Sequence, residues 1–484
     1  MLFGSDSTSR SNTLHDSRSA ATTLRTADPP TPVHTLSKGT VKLANYGQIS
    51  ERSTQASVPT SPLFTKRFRA RGDPEVSRAR MIYLKTYVSG LSLVIVTIFV
   101  VFSIYWGALW KVPAHPLKGW IVDFDGADVG RTISEGLLRE PAIYIKWDSF
   151  PGSQFANGIP EVIEAVKQDQ TWIVVVINEN ATSDLQIATA SPTALYNGSD
   201  AITVYAAEAR NENAYRDFIR PLVQTALDKL TLQIAIQLAS QLSSSSDLAS
   251  LLSISPQTVV SPISYTIVNL IPFDQPVASA VVFVGLIYLL ILSFFIVMIA
   301  HGAREASGID KILRLRSLII VRLVSSMFGY FFLSLFYALL NLAFKIDLTR
   351  RYGNWGFIIF WMLNWIGMLS VGLALESLIT LLTPKFIPFF MILWIIVNVS
   401  VCVFPITVLP RIYHYGYAVP FYNISNSIRS IAFGTRNTLG LNFGVLFAWV
   451  VISCVTLPLV QWYVRRGQRR AIENSEGPSL LEKR

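Results

Sequence analysis

Residues 301–317 read HGAREASGIDKILRLRS and lie between two long apolar segments. The stretch is too charged to lie inside a bilayer, yet Ile309, Ile312 and Leu313 are spaced i, i+3 and i+4, as on one face of a helix. Four of its other positions are Arg or Lys. The pattern is typical of a short amphipathic helix on a membrane surface, and its basic residues place that surface in the cytosol.

The composition fits a polytopic membrane protein. Of the 484 residues, 51% are hydrophobic and only 15% are charged. A net charge of +10 also occurs in nucleic-acid-binding proteins, but here the basic residues flank apolar segments, so we expect no nucleic-acid partner. Cys402 and Cys454 both lie inside apolar runs, where a thiol behaves as a small hydrophobic group, so we expect no disulfide.

Six apolar segments are long enough to cross a bilayer as helices. The first covers residues 86–110 and follows a basic collar. The other five lie within residues 277–464, at 277–300, 318–344, 355–382, 386–409 and 441–464. Pro384 is expected to end the fourth of these six helices and separate it from the next. Residues 410–440 are aromatic and sparsely charged, which favours short interfacial or re-entrant pieces.

This arrangement predicts that both termini are cytosolic. Residues 1–80 are predicted to be a disordered cytosolic tail, because residues 1–65 in particular offer too little apolar surface for burial. Thr31-Pro32 and Ser61-Pro62 are candidate phosphorylation sites in this tail. Residues 465–484 form a second basic cytosolic tail.

Residues 111–275 are the one long polar insertion, and we expect an extracytoplasmic α/β domain between the first two helices. Strands are predicted near 120–122, 172–177 and 201–207, and helices at 133–139, 159–167 and 214–242. Asn180 and Asn197 each begin an N-glycosylation sequon in this domain. We therefore predict a glycoprotein.

Asp123-Phe124-Asp125-Gly126 follows an apolar run and imitates the nucleophile loop of haloacid-dehalogenase-type phosphatases. A strand that ends in an Asp-Gly turn explains the same residues, and no lysine and acidic pair follows in the usual order. The sequence has no GxxxxGK[ST] loop and no His or Cys cluster with metal-ligand spacing. We expect no enzyme activity, no cofactor and no metal.

Glu376 is the sole acidic residue well inside a predicted span. A carboxylate there is costly, which favours a cation or proton site or a gate. The competing interpretation is a Glu that only fixes packing, together with Asn364 or Asn398 on neighbouring helices. Asn341 and these two asparagines are typical helix-to-helix contacts. Arg322 lies near the cytosolic end of its helix, where its side chain can snorkel.

The plan of one helix, a large outer domain and five more helices resembles the membrane subunit of ABC-2-type exporters and the phage-infection-protein family. Arg304-Glu305-Ala306-Ser307-Gly308 matches a pattern that follows their second helix. Residues 117–137, 172–182 and 414–450 resemble the fungal nitrosoguanidine-resistance membrane protein family. That resemblance covers roughly residues 85–465.

The resemblance implies a fungal multi-pass plasma-membrane protein associated with drug resistance and with lipid distribution between leaflets. The leading hypothesis is an ABC-2-like homodimer without its own ATPase that exports, or aids export of, amphipathic toxic compounds or lipids. Residues 301–317, with Arg304, Glu305, Ile309 and Leu313, then form a coupling loop for a cytosolic partner, or else a simple elbow between helices. The alternative hypothesis is a non-transporting membrane regulator whose outer domain senses wall, lipid or drug.

Overall fold

The structure is a computed structural model that describes residues 66–70, 72–244 and 248–481. Residues 1–65, with the candidate phosphorylation sites at Thr31-Pro32 and Ser61-Pro62, lie outside the described residues. The chain divides into two units, Met1–Arg80 and Met81–Arg484.

The described part of the first unit contains the start of a helix, α1 (Pro74–Thr97). The Asp73 carboxylate accepts hydrogen bonds from the backbone N–H groups of Glu75 and Val76, at 3.0 and 3.3 Å. Aspartate before a proline at the first helical position is a strong helix start. Residues 74–80 are therefore helical, and the prediction of disorder is wrong for them.

The first apolar segment continues from α1 through a π-helical turn, Ile98–Phe102, into α2 (Ser103–Leu109). Together these elements form one candidate membrane span, Pro74–Leu109. Its length exceeds the roughly 20 residues that a bilayer requires.

After this span the chain forms a five-stranded mixed sheet with strand order β2-β1-β3-β4-β5. The strands are β1 (Leu117–Asp123), β2 (Ile145–Pro151), β3 (Ile173–Ile177), β4 (Ile202–Ala206) and β5 (Tyr265–Asn269). β3 and β4 are antiparallel, and the other neighbouring pairs are parallel. The strands β2 and β5 were not predicted from the sequence, because both are edge strands and neither has a run of buried apolar residues.

Seven α-helical elements accompany the sheet in the described residues. They are α3 (Asp128–Arg139), α4 (Ile159–Lys167), α5 (Ala181–Ala190), α6 (Glu212–Ala214), α7 (Arg220–Leu242), α8 (Leu248–Ile254) and α9 (Pro256–Val260). Of these, α3, α4 and α7 occupy the stretches where the apolar spacing predicts helices.

All five residues of β3 are buried, because the sheet is covered on both faces. Val175 packs in one apolar cluster with residues of α3 and α7. Val174 and Val176 point to the other face and join α4 in a cluster that continues into the membrane helices. The sheet domain, residues 117–269, therefore shares a continuous apolar core with those helices.

Most of the described residues after the sheet domain are helical. A π-helical turn, Ala280–Val284, leads into α10 (Gly285–Ser307), followed by α11 (Ile309–Ile312), α12 (Leu315–Ala343), α13 (Thr349–Tyr352), α14 (Trp355–Val399), α15 (Pro420–Phe433) and α16 (Leu439–Leu481). The central helix is α14, which packs against α10, α12, α15 and α16. Because α14 is apolar all round, it can be surrounded by partners.

Within the described ranges, five helices are long and apolar enough to cross a membrane. The helical backbone of α14 continues through Pro384 and Pro388. Gly367 nevertheless packs against Ile424, and Asn398 accepts the backbone N–H of Phe421, so two distant positions of α14 reach the same part of α15. A straight helix would hold these positions about 46 Å apart, so the chain turns back near the prolines, as the sequence predicts. Of the predicted span at 386–409, the structure shows the shorter apolar helix Phe386–Val399.

Residues 301–317 mostly form the end of α10 and one additional helical turn. Residues 301–307 complete α10, and Gly308 then adopts a left-handed conformation with φ +65°. Glycine ends helices in this way because it has no Cβ. The predicted amphipathic helix is the single turn α11.

Candidate functional site

Glu376 lies in the central helix α14 and is fully buried. Its Oε1 atom is 2.8 Å from Arg304 Nη2 of α10 and 2.7 Å from Arg322 Nε of α12. Both arginines are buried as well. A lone charge in such a place is very costly, and it persists only when opposite charges and hydrogen bonds compensate it.

Arg322 brings a fourth helix into the same site. Its Nη1 atom donates to the Gln461 side chain of α16, and its Nη2 atom donates to the backbone carbonyl of Glu376. We call Arg304, Arg322, Glu376 and Gln461 the arginine–glutamate cluster. Arg322 therefore points into the helix bundle, and the prediction that it snorkels toward the membrane surface is wrong.

The cluster is not electrically balanced. Its two guanidinium groups face one carboxylate, and the next acidic group, Asp310, is 3.9 Å from Arg304 Nε and 40% exposed. An exposed pair at that distance contributes little. Glu376 Oε2, moreover, has no hydrogen-bond partner among the described residues. The site thus holds an excess positive charge beside one free acceptor atom.

A second buried ion pair joins the sheet domain to α15. Arg429 Nη1 contacts the Glu212 carboxylate and donates to the Ala209 carbonyl at 3.1 Å. Burial, the largest single effect, would raise the pKa of Glu212, but the charge and the hydrogen bond of Arg429, with smaller contributions from a backbone hydrogen bond and Arg216, together hold that pKa below its usual value. The sequence analysis missed this pair, although Arg429 is the one charged residue of α15.

Residues 91–455 match a family model described as "Protein of unknown function (DUF3533)". This match covers well over half of the chain. The chain belongs to the DUF3533 family.

A relative of this DUF3533 protein is an uncharacterized endoplasmic reticulum membrane protein of Saccharomyces cerevisiae. The two are 26% identical over 426 residues, which cover 81% of this chain and 82% of the relative. No solved structure matches the chain significantly. The comparisons support a membrane protein. They name neither nitrosoguanidine resistance nor ABC-2 exporters, and the relative's membrane is not the plasma membrane.

The family match includes the three charged residues of the cluster, whereas Gln461 lies beyond it. Sequence reasoning singled out each of those three charges but did not bring them together. It missed Gln461 entirely, although an amide near the end of the last span is the signal that could have identified it.

The asparagines predicted beside Glu376 do not contact it. Asn364 and Asn398 donate to carbonyls of their own helix, Phe360 at 2.8 Å and Trp394 at 2.9 Å. Asn398 also accepts a bond from the backbone N–H of Phe421 at 3.2 Å, which fastens α15 to α14. The two asparagines therefore belong to helix packing in this DUF3533 protein.

The residues of the predicted coupling loop differ in how exposed their side chains are. Arg304 is buried in the cluster, so it is not part of a docking surface. Glu305 is exposed, and Ile309 and Leu313 are half-buried. Ile312 is 77% exposed and presents the most accessible apolar side chain of the turn.

The other predicted residues lie on the sheet domain. Asn180 and Asn197 are both exposed, and their glycosylation stays a prediction. Asp123 Oδ1 accepts the backbone N–H groups of Asp125 and Gly126 at 3.0 and 2.9 Å, which is a turn and supports that interpretation of the Asp-Gly sequence. No group of three metal-ligating side chains occurs in the described part of the chain.

Proposed function

We propose that this DUF3533 protein moves, or helps to move, amphipathic compounds or lipids across a membrane, and that the arginine–glutamate cluster holds one of its conformations. The observation that carries the proposal is that side chains of four membrane helices meet in one buried cluster around the Glu376 carboxylate. Ionisable groups inside a membrane are rare and usually line substrate or ion pathways or take part in gating.

Stability alone does not require such a cluster. A buried ion pair is often no more stabilising than well-packed apolar residues, because desolvation offsets the attraction between the charges. What charges add is a directional contact that can break and re-form elsewhere. Glu376 Oε2, which is buried and has no hydrogen-bond partner in the part of the chain that the structure describes, is a place where a proton or a second donor can bind.

The cluster also offers a route for an input from the cytosolic side. Arg304 lies four residues before Gly308, and the α11 turn that follows is held by a bond from Arg465 Nη2 to the Asp310 carbonyl, at 2.9 Å. A partner that displaces α11 would pull Arg304 away from Glu376. We propose a cytosolic partner at this turn and a homodimer that encloses the path between two copies.

The proposed topology keeps both termini in the cytosol and the sheet domain on the other side. We propose the plasma membrane as its location, as the resemblance implies. Fluorescence microscopy of the tagged full-length protein tests this against the endoplasmic reticulum, which is named for the yeast relative.

The test of function is retention of a fluorescent amphipathic dye in fungal cells that express the protein. Glu376→Gln is expected to abolish the difference from cells with an empty vector. Glu305→Gln is the matched control, because Glu305 is exposed. Normal dye export by a Glu376→Gln protein present at the wild-type level would overturn the proposal.

A further variant separates function from folding. Arg304→Met/Arg322→Met/Glu376→Leu replaces the charges with apolar side chains of similar size, which buried sites usually tolerate. We expect this protein to reach the membrane and to fail in export. Full export by the apolar variant would show that the charges only pack the helices.

The second candidate function is a non-transporting regulator, favoured by the buried Arg429–Glu212 pair, which can pass a signal from the sheet domain to α15. Deletion of residues 1–65 distinguishes the two candidates. Loss of resistance on this deletion, together with full resistance in the cluster variants, favours the regulator.

A further inference from the structure

A cavity of 260 Å³ lies between the sheet domain and the ends of two membrane helices. Val401 and Cys402, which directly follow α14, form part of its wall, and Thr438, which directly precedes α16, forms another part. The sheet domain contributes Trp172 and Arg210. Because the cavity lies where two spans end, it is at the level of the lipid headgroups if these helices cross a bilayer.

One arginine of the cavity is fixed in place. The Arg210 guanidinium lies 3.5 Å from the centre of the Trp172 ring, and its Nε atom is 3.1 Å from the Asp169 carboxylate. Burial lowers the pKa of Arg210 to about 10, so the group stays charged at neutral pH. A stacked and paired guanidinium of this kind is a rigid, preorganised donor.

The charges in and around the cavity leave a positive excess. Arg210 is paired with Asp169, and Arg429 is paired with Glu212. Arg436 also lines the cavity and is exposed; among the described residues it forms neither an ion pair nor a hydrogen bond, but its charge acts on Asp169 from beyond ion-pair distance. Three guanidinium groups thus face two carboxylates, so one positive charge is in excess and can attract an anion.

We infer that this cavity binds a phosphodiester, with Arg436 as the guanidinium that contacts the phosphate oxygens. The planar guanidinium forms paired hydrogen bonds to phosphate, and a single unpaired charge matches the single charge of a phosphodiester. The inference goes beyond the proposed function and does not depend on the arginine–glutamate cluster. Only the choice of a lipid as the source of the phosphodiester rests on the proposed function.

The size of the cavity limits what can enter. Pockets that enclose a drug-sized ligand are roughly 300–1,000 Å³. At 260 Å³ the cavity accommodates a headgroup, while the acyl chains remain outside among the membrane helices. Trp172 and Tyr422 in the wall are amphipathic side chains of the kind that prefer the membrane interface.

The test is calorimetric titration of the purified full-length protein in detergent with three probes: dihexanoyl phosphatidylglycerol, dihexanoyl phosphatidylcholine and inorganic phosphate. We expect the anionic lipid to bind most tightly. Arg436→Ala should weaken its binding about tenfold or more, and Arg436→Lys should weaken it less. Arg139→Ala is the matched control, because the Arg139 side chain is 80% exposed and does not line the cavity.

Thr407→Trp gives a second, independent variant. Thr407 is exposed and lines the cavity, so a bulky ring there should block entry without disturbing the core. Equal affinity of the wild type and both cavity variants would overturn the inference. Binding of inorganic phosphate as tight as that of the lipid, if lost in Arg436→Ala, would keep the oxyanion site but overturn the lipid source.

The apolar variant Arg304→Met/Arg322→Met/Glu376→Leu, which is expected to fold without exporting dye, should leave these affinities unchanged. Lipid binding that persists in this variant would therefore separate failure of the proposed function from failure of this inference.

Discussion

Arg322 of α12 contacts Glu376 of α14 twice, once at the carboxylate oxygen Oε1 at 2.7 Å and once at the backbone carbonyl. The first contact balances charge, whereas the second fixes the position of one helix along the other. A third contact, to Gln461, extends the same guanidinium to α16. One side chain thus holds three helices through donors in a rigid plane.

Arg322→Lys is expected to weaken this junction although it keeps the charge. A lysine ammonium cannot reproduce the planar set of donors, so at least one buried acceptor loses its partner, at a cost of about 1–3 kcal/mol. The melting temperature of the purified protein should fall, and dye export should fall with it. Arg316→Lys, at an exposed position of the same helix, should change neither. An unchanged melting temperature in Arg322→Lys would contradict the structure.

Glu376→Gln should destabilise the protein by about 3–5 kcal/mol, because it leaves two buried guanidinium groups without a counter-charge. Glu305→Gln should stay within about 0.5 kcal/mol of the wild type, as is usual at exposed positions. Denaturant unfolding in detergent measures both.

A double-mutant cycle tests whether the cluster acts as a unit. Arg322→Gln added to Glu376→Gln should cost less than the sum of the single changes, because the second substitution removes a charge that the first left unpaired. If the losses in free energy of unfolding are strictly additive, Arg322 and Glu376 do not interact.

The Arg429–Glu212 pair predicts a dependence of stability on pH. The pKa of Glu212 is lowered in the folded protein, so its contribution is present above the ordinary value of 4.5 and is lost as the pH falls through the lower folded value. Between pH 7 and pH 3 the melting temperature of the wild type should fall more than that of Glu212→Gln. Glu135→Gln, on the surface of α3, should behave like the wild type. If the melting temperatures of the wild type and Glu212→Gln fall equally with pH, the ion pair does not contribute to stability.

Much of this architecture was predictable from periodicity and hydropathy. The strand β3 is an unbroken apolar run of buried residues, and the five spans exceed the required length, so local sequence determines both. Pro384 was recognisable as the place where the chain turns back, but whether the backbone stays helical through the turn depends on what surrounds the helix. Sequence alone does not contain that information.

The arginine–glutamate cluster was even harder to predict from the sequence. Glu376 was recognisable as a costly residue, but its partner Arg322 is 54 positions away, and their contact depends on how α12 and α14 are rotated. Such rotations are set by packing along the whole helix. The residue type therefore indicated a site, and only the fold identified its members.

Glycosylation tests the proposed topology. Asn180 is exposed at the start of α5, where its side chain is accessible, and the Asn197 side chain is exposed but bonded to Asp200 at 3.1 Å. Expression in a fungal host should give a protein whose mass falls on glycosidase treatment. Asn180→Gln/Asn197→Gln should abolish that shift, whereas Asn157→Gln, an exposed asparagine outside any sequon, should preserve it. Because attachment occurs only on the side away from the cytosol, a protein in the secretory pathway that carries no glycan at either site would argue against an outer sheet domain.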